Sequence, residues 1–221
     1  MAILDRHGVV TREAIAAEGI DGGFSAVYPI LRALEEAGRI RRGYFVEGLG
    51  AAQFALPGAI DRLRAVRESA PSTGDRRVYL LAASDPANTY GAALGWPRRD
   101  DADRRPFQRA AGAYVVLVDG DVVLYVDRGG TSVQTLPAFA DEELAIAGAR
   151  ALRGLLTDGR LRELVISKVD GHPIAESPVR EVLLAAGFNT GYRGLVLRPT
   201  AAAATDWPSD RSVVGGSSRR H

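Results

Sequence analysis

The chain of 221 residues contains no cysteine and only one lysine among its 28 basic residues. Without cysteine it has no disulfide, no thiol nucleophile and no cysteine-ligated zinc. A P-loop requires lysine followed by serine or threonine, but Lys168 is followed by Val169, so this chain alone is not a P-loop ATPase. The three histidines, His7, His172 and His221, are too scattered to predict a metal site or a Ser-His-Asp triad. We therefore predict no metal, no cofactor and no catalytic residue.

Long hydrophobic runs are also missing. No apolar run approaches the ~18–20 residues of a membrane span, and the first six residues contain no signal-peptide core. We therefore expect a soluble, cytoplasmic protein with no membrane partner. The length accommodates one or two domains, and 46% hydrophobic with 25% charged residues is ordinary for a globular protein.

The numbers of acidic and basic residues nearly balance, but the basic residues are almost all arginine. All basic residues except Lys168 are arginines, and 27 acidic residues leave a formal net charge of +1. Arginine can donate two hydrogen bonds to a phosphate or a guanine edge, which suits nucleic acid. Genomic base composition also produces such a bias in a chain rich in arginine, alanine and glycine. Because the net charge supplies no strong field, a nucleic-acid contact must come from a local arrangement.

Residues 1–70 are predicted to form a winged helix-turn-helix domain. Thr11 is expected to cap a first helix, and Ser25 to cap a second helix that ends at Ala37. The second helix has an apolar stripe with the spacing i, i+3, i+4, i+7, which predicts its buried face. The residues of this stripe are Val27, Ile30, Leu31 and Leu34.

The opposite face of the second helix is predicted to carry Tyr28 and Arg32, which we expect to contact nucleic acid. In winged-helix proteins this helix usually enters a groove of the duplex. Glu35 and Glu36 lie on the same helix and would repel phosphate. The alternative is therefore a winged helix that packs against protein rather than DNA.

A hairpin is predicted to follow, with strands at 41–47 and 53–56 around a tip of small residues. The densest basic cluster of the domain lies at the foot of this hairpin, and we expect it to grip phosphates. Its members are Arg39, Arg41 and Arg42. The alternative is a solvated strand end in which these arginines pair with Glu35, Glu36 or Glu47.

After a helix that ends near Glu68, residues 71–75 are predicted to be a linker and 76–199 a second domain. We predict an α+β fold with antiparallel strands and helices grouped on one side, closing into a small β-barrel. The hairpin at Asp119-Gly120-Asp121 is the strongest turn signal of the chain, and His172 is predicted to lie in another turn. The predicted strands are 78–82, 114–118, 122–126, 131–136, 164–169 and 195–197, and the helices are 141–156 and 178–186.

Residues 200–221 are predicted to be a disordered tail, because they are too small and polar to build a core. The long loop after residue 82 contains the most site-like group of the second domain, namely Asp85, Asn88 and Tyr90. Such Asx side chains also fasten turns, which is the alternative. Arg128 precedes two glycines and is expected either to present a cation to nucleic acid or to form a salt bridge that pins its loop.

Three stretches of the sequence resemble the carboxyl-terminal part of large helicase-related (Lhr) proteins. They are RGYFVEGLGAAQFALPGAIDRLR at 42–64, LAASDPANTYGA at 81–92 and YVDRGG at 125–130. The resemblance extends over 3–198. The family usually has proline where Thr89 and Gly95 stand, and glutamate more often than Asp127.

The resemblance implies the last winged helix and the β-barrel module of an ATP-dependent DNA helicase linked to DNA repair. It implies an accessory module without a motor, which binds DNA, single-stranded DNA included, or assembles the helicase. The motor lobes would then lie in the same chain or a separate one. A pure docking unit, such as a homo-oligomer, is one alternative.

Parts of that region are also similar to winged-helix DNA glycosylases of the AlkZ type, so base excision is the other alternative. Such chemistry needs a carboxylate or amide beside a flipped base. Four side chains are available, and their spacing singles out none of them: Gln53, Asp119, Asp127 and Asp170.

Overall fold

The computed structural model describes residues 2–50, 52–68, 76–98 and 106–199. The predicted linker at 71–75 and the predicted tail at 200–221 lie outside these residues. The first unit covers residues up to 68 and the second begins at residue 76.

The first unit begins with two elements that the sequence analysis did not predict, helix α1 (Ala2–His7) and strand β1 (Val9–Val10). Both are too short to show a hydrophobic period, although α1 buries Leu4. Helix α2 (Arg12–Ala17) follows, and the Oγ1 of its predicted cap Thr11 accepts a hydrogen bond from the backbone N–H of Ala14 at 3.1 Å. This cap was therefore predicted correctly.

Helix α3 (Gly23–Glu36) begins earlier than predicted, and the cap assigned to Ser25 is wrong. The residue before the helix is Gly22, whose φ of 74° lies in the left-handed region that glycine adopts at little cost. Leu31 is buried as predicted, but Ile30 is 61% exposed. The buried face is rotated away from Ile30 because the rings of Phe24 and Tyr28 pack against the core.

A three-stranded antiparallel sheet closes the first unit. Strands β2 (Arg41–Gly43) and β3 (Gln53–Ala55) form the hairpin, and β1 pairs with the other edge of β3. Helix α4 (Ala59–Glu68) then leads out of the unit. The core under this sheet is built from the buried side chains of Leu4, Val10, Ile15, Leu31, Ile40 and Phe54.

The second unit is built on a six-stranded sheet. Four of its strands pair antiparallel in sequence order: β4 (Val78–Ala82), β5 (Tyr114–Val118), β6 (Asp121–Val126) and β7 (Ser132–Thr135). The two-residue turn between β5 and β6 places Asp119 and Gly120 at φ values of 53° and 100°. Two positive φ values are what a type I′ turn requires, so the Asp-Gly prediction is confirmed.

Helices α5 (Glu142–Ala151) and α6 (Gly154–Thr157) cover one face of this sheet. The sequence predicted one continuous helix over 141–156, which is wrong. The chain turns at Leu152, whose backbone N–H bonds to the carbonyl three residues before it. Breaking the helix there brings three leucines into one core, since Leu152, Leu155 and Leu156 are all buried.

The strand predicted at 164–169 is divided between two sheets. Strand β8 (Leu164–Ile166) belongs to a three-stranded sheet, whereas β9 (Lys168–Val169) joins the six-stranded sheet by pairing in parallel with β7. The change occurs at Ser167, whose N–H and hydroxyl both donate to the carbonyl of Thr131, at 2.9 and 3.1 Å. The partner strand, rather than the local apolar pattern, decides where each half pairs.

The remaining elements complete both sheets. Strand β10 (His172–Pro173) pairs with β9, so the prediction of His172 as a turn residue is wrong. Helix α7 (Val179–Ala185) packs against α5, and β11 (Asn189–Gly191) and β12 (Gly194–Leu197) form the last hairpin.

The second unit is a mixed α+β structure with open sheets. The strand orders are β10-β9-β7-β6-β5-β4 and β11-β12-β8. Within the described residues, no pairing joins the outer strands β4 and β10, so the predicted closed barrel is not confirmed. The helices lie on one face, and the loop after β4 covers the other with an aromatic cluster. In the same residues, no helix is long and apolar enough to cross a membrane.

Candidate nucleic-acid interface

A buried glutamine holds the hairpin of the first unit in shape. The side chain of Gln53 is fully buried, and its Oε1 accepts hydrogen bonds from the N–H groups of Phe45 and Val46 at 2.8 and 2.9 Å. Its Nε2 donates to the carbonyls of Val46 and Leu49 at 2.9 and 3.0 Å. The predicted strand at 41–47 therefore ends at Gly43, because a side chain replaces the partner strand beyond it.

The same four bonds occupy the amide that base excision would need. Both amide hydrogens and both lone pairs of Gln53 are engaged with backbone groups, so this side chain serves the architecture of the hairpin.

The hairpin presents a tyrosine that the sequence analysis did not select. Tyr44 directly follows β2 and is 91% exposed. The sequence predicts a strand at this position, where half of the side chains are normally covered. The signal that could have found it is its position beside Arg41 and Arg42, since aromatic and basic residues alternate in many nucleic-acid surfaces.

The arginines at the foot of the hairpin divide into two groups. Arg42 Nε lies 3.4 Å from Glu35 Oε1, which is one of the ion pairs predicted as the alternative to phosphate binding. Arg39 and Arg41 are exposed, and neither has an acidic partner among the residues that the structure describes. Two cations therefore remain available for phosphate at the hairpin.

Helix α3 presents fewer side chains for nucleic-acid contact than predicted. Tyr28 does not lie on the outward face: its ring packs 5.8 Å from that of Phe24 and 6.0 Å from that of Phe54. The helical period places residue 28 beside the buried Leu31, and the apolar ring was drawn inward. Arg32 is exposed, and its Nε donates to Glu36 at 2.9 Å, so its charge is partly neutralised.

The loop residues selected in the second unit come together, but they bind the loop to itself. Asn88 is 1% exposed; its Nδ2 donates to the carbonyl of Ala83 at 2.9 Å, and its Oδ1 accepts from the N–H of Tyr90 at 3.1 Å. Asp85 Oδ1 accepts from the N–H of Ala87 at 2.8 Å. This is the turn-fastening arrangement that was the alternative to a ligand site.

Arg109 completes this loop and was missed by the sequence analysis. Its guanidinium donates to the carbonyls of Asn88, Tyr90, Ser84 and Asp85. No local pattern predicts this contact, since Arg109 lies 19 or more residues further along the chain.

The ring of Tyr90 belongs to an aromatic cluster around Trp96. The Trp96 ring stacks on Tyr90 at 6.2 Å and meets Phe107 at 5.3 Å and Tyr125 at 5.8 Å. Burial, aided by the charge of Asp121, raises the pKa of the Tyr90 hydroxyl above its ordinary value of 10.0. The hydroxyl therefore stays protonated and donates to the carbonyl of Gly120 at 3.1 Å.

Arg128 is exposed in the turn after β6. It has no ion pair with any residue that the structure describes, so the salt bridge considered as an alternative is not observed there.

Asp119, one of the carboxylates considered for base excision, ties three elements together. Its Oδ2 accepts from Arg76 at 3.0 Å and its Oδ1 from the N–H of Arg77 at 2.9 Å, while Arg76 also reaches Glu143 on α5 at 2.5 Å. Burial works to raise the pKa of Asp119, but the hydrogen bonds and charges of the two arginines outweigh burial and lower it below its ordinary value of 3.8.

The other two carboxylates are also engaged. Asp170 accepts from the N–H and the hydroxyl of Thr135 at 2.8 and 2.7 Å, and Asp127 accepts from Gln134 at 3.1 Å. In the described part of the chain, no cluster of three histidine or acidic side chains is arranged for a metal.

Two comparisons with known proteins agree with this architecture. Residues 1–75 match the winged-helix domain of the large helicase-related protein family. A Mycolicibacterium smegmatis protein named "Lhr helicase/probable uracil glycosylase" is 44% identical over 204 residues, or 89% of this chain. The Escherichia coli protein named "Lhr helicase/uracil glycosylase" is 39% identical over 196 residues, or 87% of this chain.

The helices and hairpin of the first unit, followed by an open α+β unit, define a winged-helix protein with an appended mixed domain. The chain belongs to the large helicase-related family, as a carboxyl-terminal module of that family. It spans only 13% and 12% of the length of the two relatives.

Proposed function

We propose that this chain is an accessory module of an Lhr-type helicase that binds nucleic acid through the hairpin of its winged helix. The observation that carries this proposal is the pair of exposed arginines, Arg39 and Arg41, which have no acidic partner among the described residues. A guanidinium without a neighbouring carboxylate is free to exchange its counterion for a phosphate.

The remaining charges support this assignment to the hairpin rather than to α3. Arg32 is paired with Glu36, and Arg42 with Glu35. Because the whole chain has a net charge of only +1, binding depends on a few local contacts. We expect it to weaken steeply as salt rises.

The helicase role is proposed from the family. Both relatives are named helicases, and the single lysine of this chain is not in a P-loop. The ATP-driven lobes would therefore be supplied by another part of the same chain or by a separate one. DNA, single-stranded DNA included, is the proposed ligand.

The test is fluorescence anisotropy of labelled DNA with the full chain over a salt series. The variant Arg39→Ala/Arg41→Ala should bind more weakly, and its slope of log K against log salt should be shallower. For two lost phosphate contacts, the magnitude of this slope should fall by about 1.4 on single-stranded DNA and by about 1.8 on duplex DNA.

The control variant is Arg162→Ala/Arg193→Ala, which removes the same charge from exposed positions of the second unit. It should leave the slope nearly unchanged. Equal slopes for the two double variants would remove the hairpin from the interface.

A second candidate function is base excision, which is favoured only by the glycosylase part of both relatives' names. The four side chains considered for it all make hydrogen bonds that hold the fold. Uracil release from a uracil-containing oligonucleotide tests this alternative directly, and Asp127→Asn is the first variant to compare.

Self-association is the third candidate and rests on a different observation. Strand β4 lies at an edge of the six-stranded sheet, and its Val78 and Tyr79 are exposed. Association through such an apolar edge should change little with salt, unlike phosphate contacts. Sedimentation of the chain at low and high salt separates self-association from nucleic-acid binding through phosphates.

A further inference from the structure

We propose that Tyr44 is a stacking platform for an unpaired base, so that the hairpin selects single-stranded over double-stranded nucleic acid. This inference rests on the proposed function and adds the form of nucleic acid that the site takes.

The first argument is the exposure of the ring. Tyr44 is 91% exposed, whereas Tyr28, Tyr90 and Tyr125 are packed against other aromatic rings. A tyrosine presents a large planar surface, and stacking of a base covers that surface without any requirement for a particular base.

The second argument is that the backbone on both sides of Tyr44 is fixed. Gly43 lies in the ladder opposite Gln53, and the N–H of Phe45 donates to the buried Gln53 side chain at 2.8 Å. The Phe45 ring closes against Gly43, where an added Cβ would lie 3.2 Å from Cζ of that ring. Because the loop is already ordered, little conformational entropy is lost when a ligand binds.

The third argument is the neighbouring positive charge. Arg41 lies three residues before Tyr44, and an extended chain spans at most about 3.6 Å per residue, so their Cα atoms are no more than about 11 Å apart. An arginine side chain at that distance reaches the phosphates that flank a base stacked on Tyr44. Stacking and phosphate contact therefore act on the same short stretch of nucleic acid.

Selection of single strands follows from the structure of the duplex. Bases of a duplex are stacked on each other and cannot offer their faces to a protein ring, whereas bases of a single strand can. Loss of the Tyr44 ring should thus weaken single-strand binding and leave duplex binding nearly unchanged.

The experiment compares Tyr44→Ala, Tyr44→Phe and Tyr192→Ala in the full chain, by anisotropy with a labelled oligo-dT and a labelled blunt duplex. Tyr192 is the matched control, because it is 103% exposed at the tip of the β11–β12 hairpin. Tyr44→Ala should lower oligo-dT affinity about tenfold, equal to about 1.4 kcal/mol. Tyr44→Phe keeps a stacking ring and should retain most of the affinity.

Three results would overturn the inference: equal losses on oligo-dT and duplex, equal losses for Tyr44→Ala and Tyr192→Ala, or no loss at all. A loss of affinity in Tyr44→Ala would not come from unfolding, because a ring this exposed contributes little to the core. Equal melting temperatures for this variant and the unaltered chain would confirm that. If the unaltered chain binds neither DNA at low salt, the proposed function itself fails. If it binds with the expected salt slope but Tyr44→Ala has no effect, only the stacking inference fails.

Discussion

Gln53 and Val46 exchange two hydrogen bonds, one from the Val46 N–H to Gln53 Oε1 and one from Gln53 Nε2 to the Val46 carbonyl, each 2.9 Å long. This is the pattern of two paired strand residues, but one of the two partners is a side chain. The hairpin can therefore bend away from its ladder after Gly43 while its backbone groups remain satisfied.

Replacing Gln53 by leucine should destabilise the first unit by about 2 kcal/mol, because buried backbone groups lose their partners. DNA binding should also weaken, since the backbone around Tyr44 is no longer held. Urea denaturation measures the first effect and anisotropy the second. Gln108→Leu, at an exposed glutamine, is the control, and a matching urea midpoint for both variants would contradict the role of Gln53.

The cluster of Arg6, His7 and Glu18 predicts a pH dependence. Arg6 Nη1 and His7 Nε2 lie 2.6 and 2.7 Å from the Glu18 carboxylate. The hydrogen bond with His7 is the main cause that lowers the pKa of Glu18 below its ordinary value of 4.5; burial opposes it, and Arg6 adds to it. Since the folded pKa is depressed, this stabilisation is fully present above pH 4.5 and is lost as pH falls through the folded pKa.

The variant Glu18→Gln should therefore be less stable than the unaltered chain at neutral pH, and the difference should shrink as the pH falls below about 4.5. Melting temperatures of both proteins from pH 7 to pH 3 provide the measurement. A difference that is constant over this range would show that the carboxylate charge of Glu18 does not contribute.

Gly194 is expected to be the least replaceable glycine of the second unit. An added Cβ would lie 2.2 Å from the carbonyl oxygen of Ile166, and the residue has a φ of 135°. Gly194→Ala should cost on the order of 3 kcal/mol. Gly159 also has a positive φ, 66°, but open space around it, so Gly159→Ala should cost only about 1 kcal/mol. Similar urea midpoints for the two variants would refute the close approach.

Removing Arg109 should release the loop that follows β4. Four carbonyls lose a charged donor in Arg109→Ala, and we expect a loss of about 2 kcal/mol in unfolding free energy. In a Trp207→Phe background Trp96 is the sole tryptophan of the chain, and its emission should shift to longer wavelength as the loop opens. Arg162→Ala in the same background should leave the emission unchanged.

The local features of the fold were predictable from the sequence. Thr11 capped its helix, and Asp119-Gly120 formed its turn, because both signals act through backbone groups within three residues. Strand β4 was predicted at its observed limits, since Val78–Ala82 is an uninterrupted apolar run.

The features that depend on distant partners were not predictable. The face of α3 was assigned from its own apolar stripe, but packing of Tyr28 on Phe54 exposed Ile30 instead. The division of the strand at Ser167 depends on Thr131, 36 residues away. Likewise, the role of Gln53 in the candidate interface depends on backbone groups across the hairpin, which no spacing rule identifies.

The placement of Arg76 also has a mechanical consequence. Strand β4 is the first strand of its sheet and, among the strands that the structure describes, pairs with β5 alone. Tension applied from the amino-terminal side would therefore separate it from β5 starting at Val78. Arg76 sits at that end and is anchored to both Asp119 and Glu143. The ion pairs of Arg76 with the β5–β6 turn and with α5 would have to break before the first hydrogen bond between β4 and β5. Both of these elements would therefore resist a force applied along the chain.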